Sequence, residues 1–599
     1  MEPVNDGKYR WCRRVILLAL VVLCMRLFDL QILKGDEMRK LSEQNRVRVK
    51  KILAPRGMIY DRKGKVVADT RPSFNLYLIR EDIRDFNQTV DGLAKLLELD
   101  REDIIARLKE ARDYPSSFPV KIESDLNKDQ VAKVEANKFY LPGVTIQIEP
   151  KRNYPYGIML AHVLGYVSEI NSEELTAKEN KGYTPGDYIG KFGLEKAYEP
   201  YLRGIDGEQR VEVDATGREV RVLDTVEPTA GNSLHLNIDM ELQMAVEKAF
   251  EGKKGGCVVT DPRNGGVLVL VSRPAFDPNE LSSGATKEYW AKVATDKTHP
   301  LQNRVTQGRF PPGSTFKPVL ALKALDKGII NENTSFPCHG GFSYGNRVFK
   351  CWRKEGHGSI SVHRGIVESC DVFFYNLGLK LGIDNIHEMA ETMGLTKVTG
   401  IDLPGEKAGV VPSTAWKLKT YGEKWYEGET VSVSIGQGAV WLTPMQLQQL
   451  SSFIANEGVT FKPRIVNKIV SPQGKELKVF EPVMLTNAKL NKQAVTVVKE
   501  GMKGVVNEPR GTAYASRLPT VSISGKTGTA QSASLGAGKG DHAWFVAFAP
   551  SDDPVLSMAI LVEFGGHGAS ISAPIAKIVT ESYFKEQKEI KSAKLDVYR

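Results

Sequence analysis

An unbroken apolar run near the N-terminus is the strongest hydrophobic feature of the chain. It extends from Val15 to Cys24 and continues, with polar interruptions, to Leu33. About twenty apolar residues cross a bilayer as a helix, although a buried helix is the alternative. The residues that precede the run include four bases: Lys8, Arg10, Arg13 and Arg14. The positive-inside rule therefore predicts a cytoplasmic tail at 1–14 and an anchor at 15–34, with the rest of the chain outside. No small-residue cleavage site follows, so we expect the anchor to be retained.

The first half of the remaining chain has mixed periodicity. Residues 59–67 read as two short strands joined by a turn at Gly64, and residues 210–222 read as a hairpin. Residues from about 85 to 137 carry apolar side chains at helical spacing between many charges. This stretch contains no recognisable catalytic motif, so residues 35–230 are predicted to form a non-catalytic pedestal, or dimerisation-like, domain.

The second half shows strands at both ends of a helical block. Two apolar strands at 257–260 and 267–271 flank a turn at Asn264-Gly265-Gly266. A helix-rich section follows from about 285 to 460. Strands are predicted at 522–524, 542–548 and 555–562, before a helix at 574–584. This order predicts an antiparallel sheet sandwiched by helices, with a helical subdomain, over 231–586, and a charged tail at 587–599. The fold class is therefore α+β and multidomain.

Composition narrows the function only slightly. The 599 residues carry a net charge of +9, and 41% are hydrophobic, which allows large cores. No basic stripe with interleaved aromatic residues is present, so a nucleic-acid partner is not expected.

The segment around Ser314 has the pattern of an activated nucleophile. Pro311-Pro312-Gly313 precedes it and helical spacing follows it, which predicts a helix beginning at or just before the serine. The N–H groups of a helix start favour developing negative charge. Lys317 lies three residues on, on the same face. A serine needs a neighbouring base, and Lys317 can be that base only when it is neutral, a form that the nearby cation Lys526 would favour.

Two further polar segments complete the pattern. Ser369 and Asp371, in Ser-Cys-Asp, fall within the helix-rich block. Lys526 is followed by three residues suited to binding a substrate backbone: Thr527, Gly528 and Thr529. These residues are expected to follow a strand, where small residues let a peptide lie along the sheet edge. The N–H groups of Ser314 and Thr529 are the expected oxyanion hole.

The chain resembles class B penicillin-binding proteins, and more narrowly the penicillin-binding protein 2 group of the elongation machinery. The three segments match Ser-x-x-Lys, Ser-x-Asn and Lys-Thr-Gly, except that Asp371 replaces the amide, which puts its substrate-amide role in doubt. Other matching segments are Arg56 to Arg62, Gly190 to Arg203, Asp261-Pro262 and Ser434 to Gly438.

The resemblance implies a peptidoglycan D,D-transpeptidase in the bacterial inner membrane, acting in elongation and cell shape and inhibited by β-lactams. Its implied partners are stem peptides, elongation-complex proteins and a polytopic glycan polymerase that docks the pedestal. Ser314 would attack the penultimate D-Ala carbonyl. Lys317 would take its proton, and Ser369 with Lys526 would return one to the leaving amine. This chemistry needs no cofactor.

Three cysteines and a histidine between the first two segments suggest a metal site: Cys338, Cys351, His357 and Cys370. Three thiolates and an imidazole suit tetrahedral zinc, and the resemblance implies a structural zinc in this segment. A Cys338–Cys351 disulfide and free thiols are the alternatives.

Two other functions fit the motifs. Water could resolve the acyl-enzyme, as in a carboxypeptidase or β-lactamase. The chain could also act without catalysis, as a β-lactam sensor or an activator of the polymerase.

Overall fold

The computed structural model describes residues 6–36, 38, 47–177, 182–184, 186–213, 219–282, 287–531 and 540–597. They form two compact units. Unit 1 comprises Met1–Arg56, Arg71–Lys151 and Arg203–Gly231, and unit 2 comprises Gly57–Thr70, Arg152–Leu202 and Asn232–Arg599. The second unit contains all the candidate catalytic and metal-binding residues.

The α-helices of the described residues are α1 Asp6–Phe28, α2 Phe86–Leu97, α3 Arg101–Glu110, α4 Lys128–Asn137, α5 Ala161–Leu164, α6 Ser172–Thr176, α7 Gly193–Ala197, α8 Glu199–Leu202, α9 Met240–Ala249, α10 Pro278–Ser282, α11 Lys287–Thr295, α12 Lys317–Asp326, α13 Val362–Val367, α14 Asp371–Leu381, α15 Ile383–Thr392, α16 Thr414–Tyr421, α17 Glu427–Val433, α18 Pro444–Ala455, α19 Lys492–Asn507 and α20 Ser572–Val597.

The strands of the same residues are β1 Val47–Ile52, β2 Ile59–Tyr60, β3 Val66–Leu78, β4 Val120–Glu123, β5 Val144–Asn153, β6 Val167–Glu169, β7 Tyr188–Gly190, β8 Gly207–Val213, β9 Glu219–Val226, β10 Ser233–Leu236, β11 Gly255–Thr260, β12 Val267–Arg273, β13 Ser335–Cys338, β14 Gly341–Tyr344, β15 Arg347–Lys350, β16 Gly358–Ser361, β17 Val459–Phe461, β18 Val466–Val470, β19 Glu476–Val479, β20 Met484–Asn487, β21 Ser524–Ala530, β22 His542–Ala549 and β23 Leu556–Val562.

The N-terminal apolar run is helical, as the sequence predicts. α1 continues into a π-helical turn at Asp29–Leu33, and Tyr9–Leu33 is a candidate membrane span of 25 residues with exposed side chains. Inside the run, the guanidinium of Arg26 pairs with the Asp29 carboxylate at 2.6 Å. This pairing reduces the cost of placing two charges in an apolar helix.

Unit 1 combines small sheets with helices. β1, β8 and β9 form an antiparallel sheet, in agreement with the predicted hairpin. The C-terminal half of β3 pairs with β4 and β5, and α2 buries Val90, Leu93 and Leu97 in the same core. Asp85 caps the N-terminus of α2, because its carboxylate accepts the N–H of Gln88. The strand β4 lies within the stretch that was predicted as helical.

Unit 2 is built on a five-stranded antiparallel sheet in the order β12-β11-β23-β22-β21. Every residue of β22 and β23 is buried, so these strands are covered on both faces. Helices α9, α18 and α20 pack against the sheet. The predicted sandwich of helices around an antiparallel sheet is confirmed.

Several boundaries differ from the sequence prediction. Residues 335–361, placed in the helix-rich block, contain the four short strands β13 to β16, whose four-residue lengths carry little periodicity. Lys526 lies inside β21, not after it, and α20 extends through most of the predicted tail. The predicted boundary at 230 falls at the end of the last unit 1 segment, but 57–70 and 152–202 cluster with unit 2. One reason is that β2 and the start of β3 form a sheet with β10.

Candidate active site

Ser314 lies in a tight turn that leads directly into a helix. A 3-10 turn at Gly313–Phe316 precedes α12, and Ser314 is half-buried. Gly313 has a φ of +57°, and a Cβ there would lie 2.7 Å from the carbonyl oxygen of Thr529. Only glycine fits this close approach, which brings the backbone before the serine against β21. The predicted helix start is confirmed, with its first turn in 3-10 form.

The amine of Lys317 is fully buried and has three acceptors. Nζ donates to the Ser369 carbonyl oxygen at 2.8 Å, to the Ser369 hydroxyl at 3.2 Å and to Asp371 Oδ1 at 2.7 Å. These acceptors match the three donors of an ammonium group. Among the described residues, the Ser314 hydroxyl makes no hydrogen bond, so the predicted pair of Ser314 and Lys317 is not hydrogen-bonded in this structure.

Ser369 connects the two lysines of the site. Its hydroxyl is 2.8 Å from Lys526 Nζ and 3.2 Å from Lys317 Nζ. Its φ of +56° lies in the left-handed region, which is uncommon for residues other than glycine and asparagine. This conformation turns both the carbonyl and the hydroxyl of one residue toward Lys317. The structure therefore joins Lys317, Ser369 and Lys526 in one continuous hydrogen-bonded chain.

Lys526 is the amine whose titration is perturbed. It is fully buried and also donates to the Thr527 carbonyl oxygen at 3.0 Å. Burial and then the positive charge of Lys317 lower the pKa of Lys526 well below its usual range, while Asp371 acts in the opposite direction. The sequence argument assigned Lys526 the role of a cation that neutralises Lys317. In the structure, the neutral form is favoured at Lys526 itself.

Asp371 is committed to contacts within the protein. One carboxylate oxygen pairs with Lys317, and the other accepts the backbone N–H of Trp352 at 3.0 Å. Its side chain is 12% exposed. The predicted substrate contact through Asp371 has no support from this geometry.

β21 presents the remaining substrate-binding candidates at the edge of the sheet. It pairs only with β22 among the described strands, so its other edge can accept an extended peptide. A Cβ on Gly528 would lie 2.8 Å from the Thr315 methyl group, so this glycine lets β21 pack closely against the turn that bears Ser314. The Thr527 hydroxyl is 2.7 Å from that of Thr512.

The predicted metal ligands converge in the structure. The Sγ atoms of Cys338, Cys351 and Cys370 and a ring nitrogen of His357 all lie within 4.8 Å of one another. Nδ1 of His357 is 3.5 Å from Cys338 Sγ and 3.6 Å from Cys351 Sγ. Metal–ligand distances of about 2.3 Å for sulfur and about 2.0 Å for nitrogen give a tetrahedral edge of about 3.6 Å. The donor set and its spacing therefore fit a tetrahedral metal ion.

The thiols of this cluster are not joined to each other. All six cysteines are free, so the alternative disulfide between Cys338 and Cys351 is not formed in this structure. A hydrogen bond from the Cys370 thiol lowers the pKa of Cys351, and a thiolate is the form that binds metals. Cys370 also caps α14, since its Sγ accepts the N–H of Phe373 at 3.4 Å.

Sequence reasoning did not assign roles to three residues that the structure places around the site. Trp352 holds Asp371 through its backbone, and Thr512 contacts Thr527, but neither belongs to a motif. Gly436 lies in a segment that had been noted only for its resemblance. A Cβ on Gly436 would be 2.2 Å from the Gly313 carbonyl oxygen. A glycine is therefore required at this position, because the two backbones approach each other closely.

The fold and the site together define a serine acyl-transferase domain of the penicillin-recognising type. The family model described as "Penicillin binding protein transpeptidase domain" matches residues 255–581, and "Penicillin-binding Protein dimerisation domain" matches residues 51–236. The chain belongs to the penicillin-binding protein transpeptidase family.

Three relatives of the same family show how much of the chain is similar. The peptidoglycan D,D-transpeptidase MrdA of Acinetobacter baumannii is 36% identical over 98% of this chain and 89% of its own length. MrdA of Escherichia coli K12 is 36% identical over 94% of this chain and 92% of its own length. Penicillin-binding protein 3 of Bacillus subtilis is 28% identical over 89% of this chain and 77% of its own length.

Solved structures agree with the same family. PBP2 of Helicobacter pylori, in a complex with MreC, has a TM-score of 0.77 and 30% identity, and the match covers 90% of this chain and 98% of that one. A structure titled "Structural coordination of polymerization and crosslinking by a peptidoglycan synthase complex" has a TM-score of 0.72 and 30% identity, with 97% and 98% covered.

Proposed function

We infer that the protein is a serine-type peptidoglycan D,D-transpeptidase that cross-links stem peptides through an acyl-enzyme and binds β-lactams at the same serine. The observation that carries this inference is the buried chain from Lys317 through Ser369 to Lys526, beside the turn that bears Ser314. Family membership and the 36% identity to two MrdA proteins support the same activity.

The geometry supports a specific order of proton transfers. A resting Lys317 ammonium uses all three of its donors and cannot accept the Ser314 proton. It can pass one proton to the Ser369 hydroxyl while that hydroxyl gives its own proton to the neutral amine of Lys526. Lys317 then holds a lone pair, and rotation about its Cε–Nζ bond lets it accept the Ser314 proton as Oγ attacks the D-Ala carbonyl.

The acyl-enzyme forms when the C–N bond to the terminal D-Ala breaks. The leaving amine takes a proton from the same hydrogen-bonded chain. An amine of a second stem peptide then attacks the ester carbonyl and gives a proton to that chain, and the C–O bond to Ser314 breaks as Oγ takes a proton back. Backbone N–H groups of Ser314 and Thr529 stabilise the oxyanion in this scheme, and loss of one such donor typically costs about 3 kcal/mol of barrier. Thr527, Gly528 and Thr529 would bind the donor peptide along the edge of β21.

Covalent labelling tests the assignment of the nucleophile. Ser314→Ala should lose all labelling by a fluorescent penicillin, because no other serine lies at the start of α12. The matched control is Ser343→Ala, which changes an exposed serine on β14 and should label like the wild type. Labelling of the Ser314 variant at the wild-type level would refute the assignment.

The Cys338, Cys351, His357 and Cys370 cluster supports a structural zinc ion. When bound, zinc would supply a tetrahedral cross-link between β13, the turn after β15, the start of β16 and the start of α14. Metal analysis of the purified extramembrane part tests this. We expect one zinc per chain, falling to a small fraction in Cys351→Ala. Metal-free wild-type protein with a disulfide by mass would overturn the assignment.

The candidate span Tyr9–Leu33 supports a single-pass protein of the bacterial inner membrane. The preceding bases favour a cytoplasmic N-terminus, with both units outside. Protease added to spheroplasts should therefore digest nearly the whole chain, and its resistance would contradict this orientation.

We also propose a role in cell elongation and shape, with unit 1 as the docking pedestal for a membrane-embedded glycan polymerase, as the resemblance to the penicillin-binding protein 2 group implies. The titles of the two structural neighbours name MreC and a peptidoglycan synthase complex as assemblies of those proteins. Co-purification of the full chain with the polymerase encoded in the same genome tests the role. A chain that lacks residues 71–151 should lose the partner, and retained binding would argue against the pedestal.

A further inference from the structure

A polar cavity lies in unit 2, and its lining includes none of the catalytic or substrate-binding candidates. Its volume is about 360 Å³, which falls in the range of small-ligand sites. The turn between β2 and β3 and the turn between β11 and β12 form two of its walls, and β10 and β18 form the others. The two turns contain Arg62 and Asp261, which belong to segments that carry the family resemblance but have no role in the proposed acyl transfer.

The cavity is separated from the catalytic residues by the width of the sheet. β23 and β22 lie between β11 and β21, and three strand spacings correspond to about 14 Å. Thr260, the last residue of β11, is in register across the sheet with Ser524, the first residue of β21. β21 then extends from Ser524 toward Lys526, away from the turn that follows Thr260. A ligand in the cavity would therefore not occupy the cleft beside Ser314.

The acidic residues of the cavity have partners within the protein. The carboxylate of Asp61 accepts the backbone N–H groups of Lys63 and Lys65, each at 2.8 Å. The carboxylate of Asp261 pairs with the guanidinium of Arg263 at 2.7 Å. Neither carboxylate therefore needs a bound cation to balance it.

The basic residues of the cavity are paired as well. Lys468 forms an ion pair with Glu476 at 2.5 Å, and the guanidinium of Arg62 hydrogen-bonds to the side chain of Tyr583. The lining contains two acidic and two basic residues, so these charges cancel. A charged ligand would lose its hydration there without gaining an unpaired charge of opposite sign, which is unfavourable.

The side chains that remain available to a ligand are neutral. Among the described residues, the amide of Asn467 and the ring nitrogens of His235 make no hydrogen bond, and both side chains are half-buried. Asn237 uses its amide nitrogen, which donates to the Arg464 carbonyl oxygen at 3.2 Å. Burial, and secondly the positive charge of Lys468, lower the pKa of His235, so its imidazole is neutral at neutral pH.

These neutral groups match a ligand that is rich in hydroxyl groups. An amide and a neutral imidazole both donate and accept, as a hydroxyl does, so each can pair with a hydroxyl without adding charge to the cavity. The ring of His235 is stacked on Tyr60 with a centroid distance of 4.9 Å, which orients its nitrogens. Saccharides have this chemistry, and peptidoglycan consists of glycan strands that carry the stem peptides.

We propose that this cavity binds an uncharged saccharide unit of a glycan strand, at a site apart from the one that acylates stem peptides. The proposal rests on the proposed function only for the choice of a peptidoglycan glycan as the ligand. His235 and Asn467 provide the hydrogen bonds, and the paired charges around them exclude ionic ligands.

The test uses N,N′-diacetylchitobiose, an uncharged disaccharide of N-acetylglucosamine. The full-length protein is kept in lipid nanodiscs, because maltoside detergents are themselves saccharides. Saturation-transfer NMR measures binding by the wild type, His235→Phe and Asn467→Leu. His235→Phe keeps an aromatic ring against Tyr60 and removes the hydrogen-bonding atoms. Asn333→Leu makes the same exchange as Asn467→Leu at an exposed position and is the matched control.

We expect the wild type to bind the disaccharide with a Kd on the order of 1 mM. Each cavity variant should weaken binding by about 3- to 10-fold, the usual effect of one lost hydrogen bond, and the control should match the wild type. No binding by the wild type at about 20 mM disaccharide, or binding by a folded cavity variant that equals that of the wild type, would overturn the proposal. The two substitutions lie on different strands, so a variant that does not fold leaves the other to decide.

Penicillin labelling separates this cavity from the catalytic site. All three variants should label at the wild-type rate, and the disaccharide should bind equally well to protein already acylated at Ser314. Loss of saccharide binding on acylation would place the saccharide in the catalytic cleft, and displacement by the zwitterion D-Ala-D-Ala would assign the cavity to charged ligands; either result would overturn the proposal. Absence of labelling at Ser314 in a wild type that binds the disaccharide would instead refute the proposed function, which distinguishes the two failures.

Discussion

Replacement of Ser369 by alanine is the sharpest perturbation of the proposed proton chain. The hydroxyl is the only described group that bonds to both buried amines, at 2.8 and 3.2 Å. Without it, Lys317 keeps the Ser369 carbonyl oxygen and Asp371, so its position should persist while its route to Lys526 is lost. A positioned acid–base group typically contributes about 10²- to 10⁴-fold, which corresponds to roughly 3–5 kcal/mol of barrier.

The effect on stability should be smaller than the effect on rate. Loss of a buried hydrogen bond to a charged group costs about 1–3 kcal/mol. Ser369→Gly provides a comparison, because it removes the same hydroxyl and also relieves the positive φ of this position. The two variants should therefore share the same acylation defect and differ only in the free energy of unfolding.

The assay is the second-order rate of covalent labelling by a fluorescent penicillin, with thermal unfolding measured on the same samples. Ser343→Ala serves as the control. If Ser369→Ala reacts within about threefold of the wild type, Ser369 does not relay the proton. If Ser369→Gly reacts at nearly the wild-type rate while Ser369→Ala does not, the backbone conformation causes the defect and the hydroxyl does not.

Three other substitutions test the structure around the site. Gly528→Ala places a Cβ 2.8 Å from the Thr315 methyl group and should slow penicillin labelling at least tenfold, because β21 must move away from the nucleophile turn; unchanged labelling would contradict this packing. Lys526→Met removes an amine whose pKa is lowered from 10.5 in the folded chain. Since the unfolded chain binds the extra proton between the lowered pKa and 10.5, wild-type stability should rise with pH across that window more steeply than that of the variant in denaturant titrations; equal slopes would contradict the shift. Arg152→Met removes the guanidinium that pairs with the buried carboxylate of Glu195 at 2.7 Å and should cost about 3–5 kcal/mol of unfolding free energy; the double variant with Glu195→Leu should recover part of that loss, and a further loss would contradict this account.

The fold was predictable where the pattern of apolar residues was long or bounded by clear turns. The hairpin of β11 and β12 has Asn264-Gly265 between two apolar runs, and β22 and β23 are continuous apolar segments. The short strands β13 to β16 could not be predicted, because four residues show no reliable period. Lys526 was placed after a strand predicted to end at Ser524, whereas β21 begins at Ser524 and continues to Ala530. Gly525 belongs to that strand because a Cβ there would lie 2.5 Å from the Phe545 ring.

The residues of the candidate site were predictable from motifs, but the hydrogen bonds that connect them were not. Ser314, Lys317, Ser369 and Lys526 were identified because the three segments occur together in a fixed order. The sharing of Ser369 between two amines depends on its φ of +56°, which a sequence does not reveal for a serine. Trp352 and Thr512 lie 19 and 15 residues before the motif residues that they contact, and neither belongs to a motif.

The central claim is that the hydroxyl oxygen of Ser314 forms the ester bond of the acyl-enzyme. One measurement tests this claim directly. The full-length protein is reacted with a β-lactam, digested, and mapped by tandem mass spectrometry. The account predicts a single acyl adduct on the hydroxyl of Ser314. An adduct on any other residue, or unmodified Ser314 in a protein that has bound the drug covalently, would contradict it.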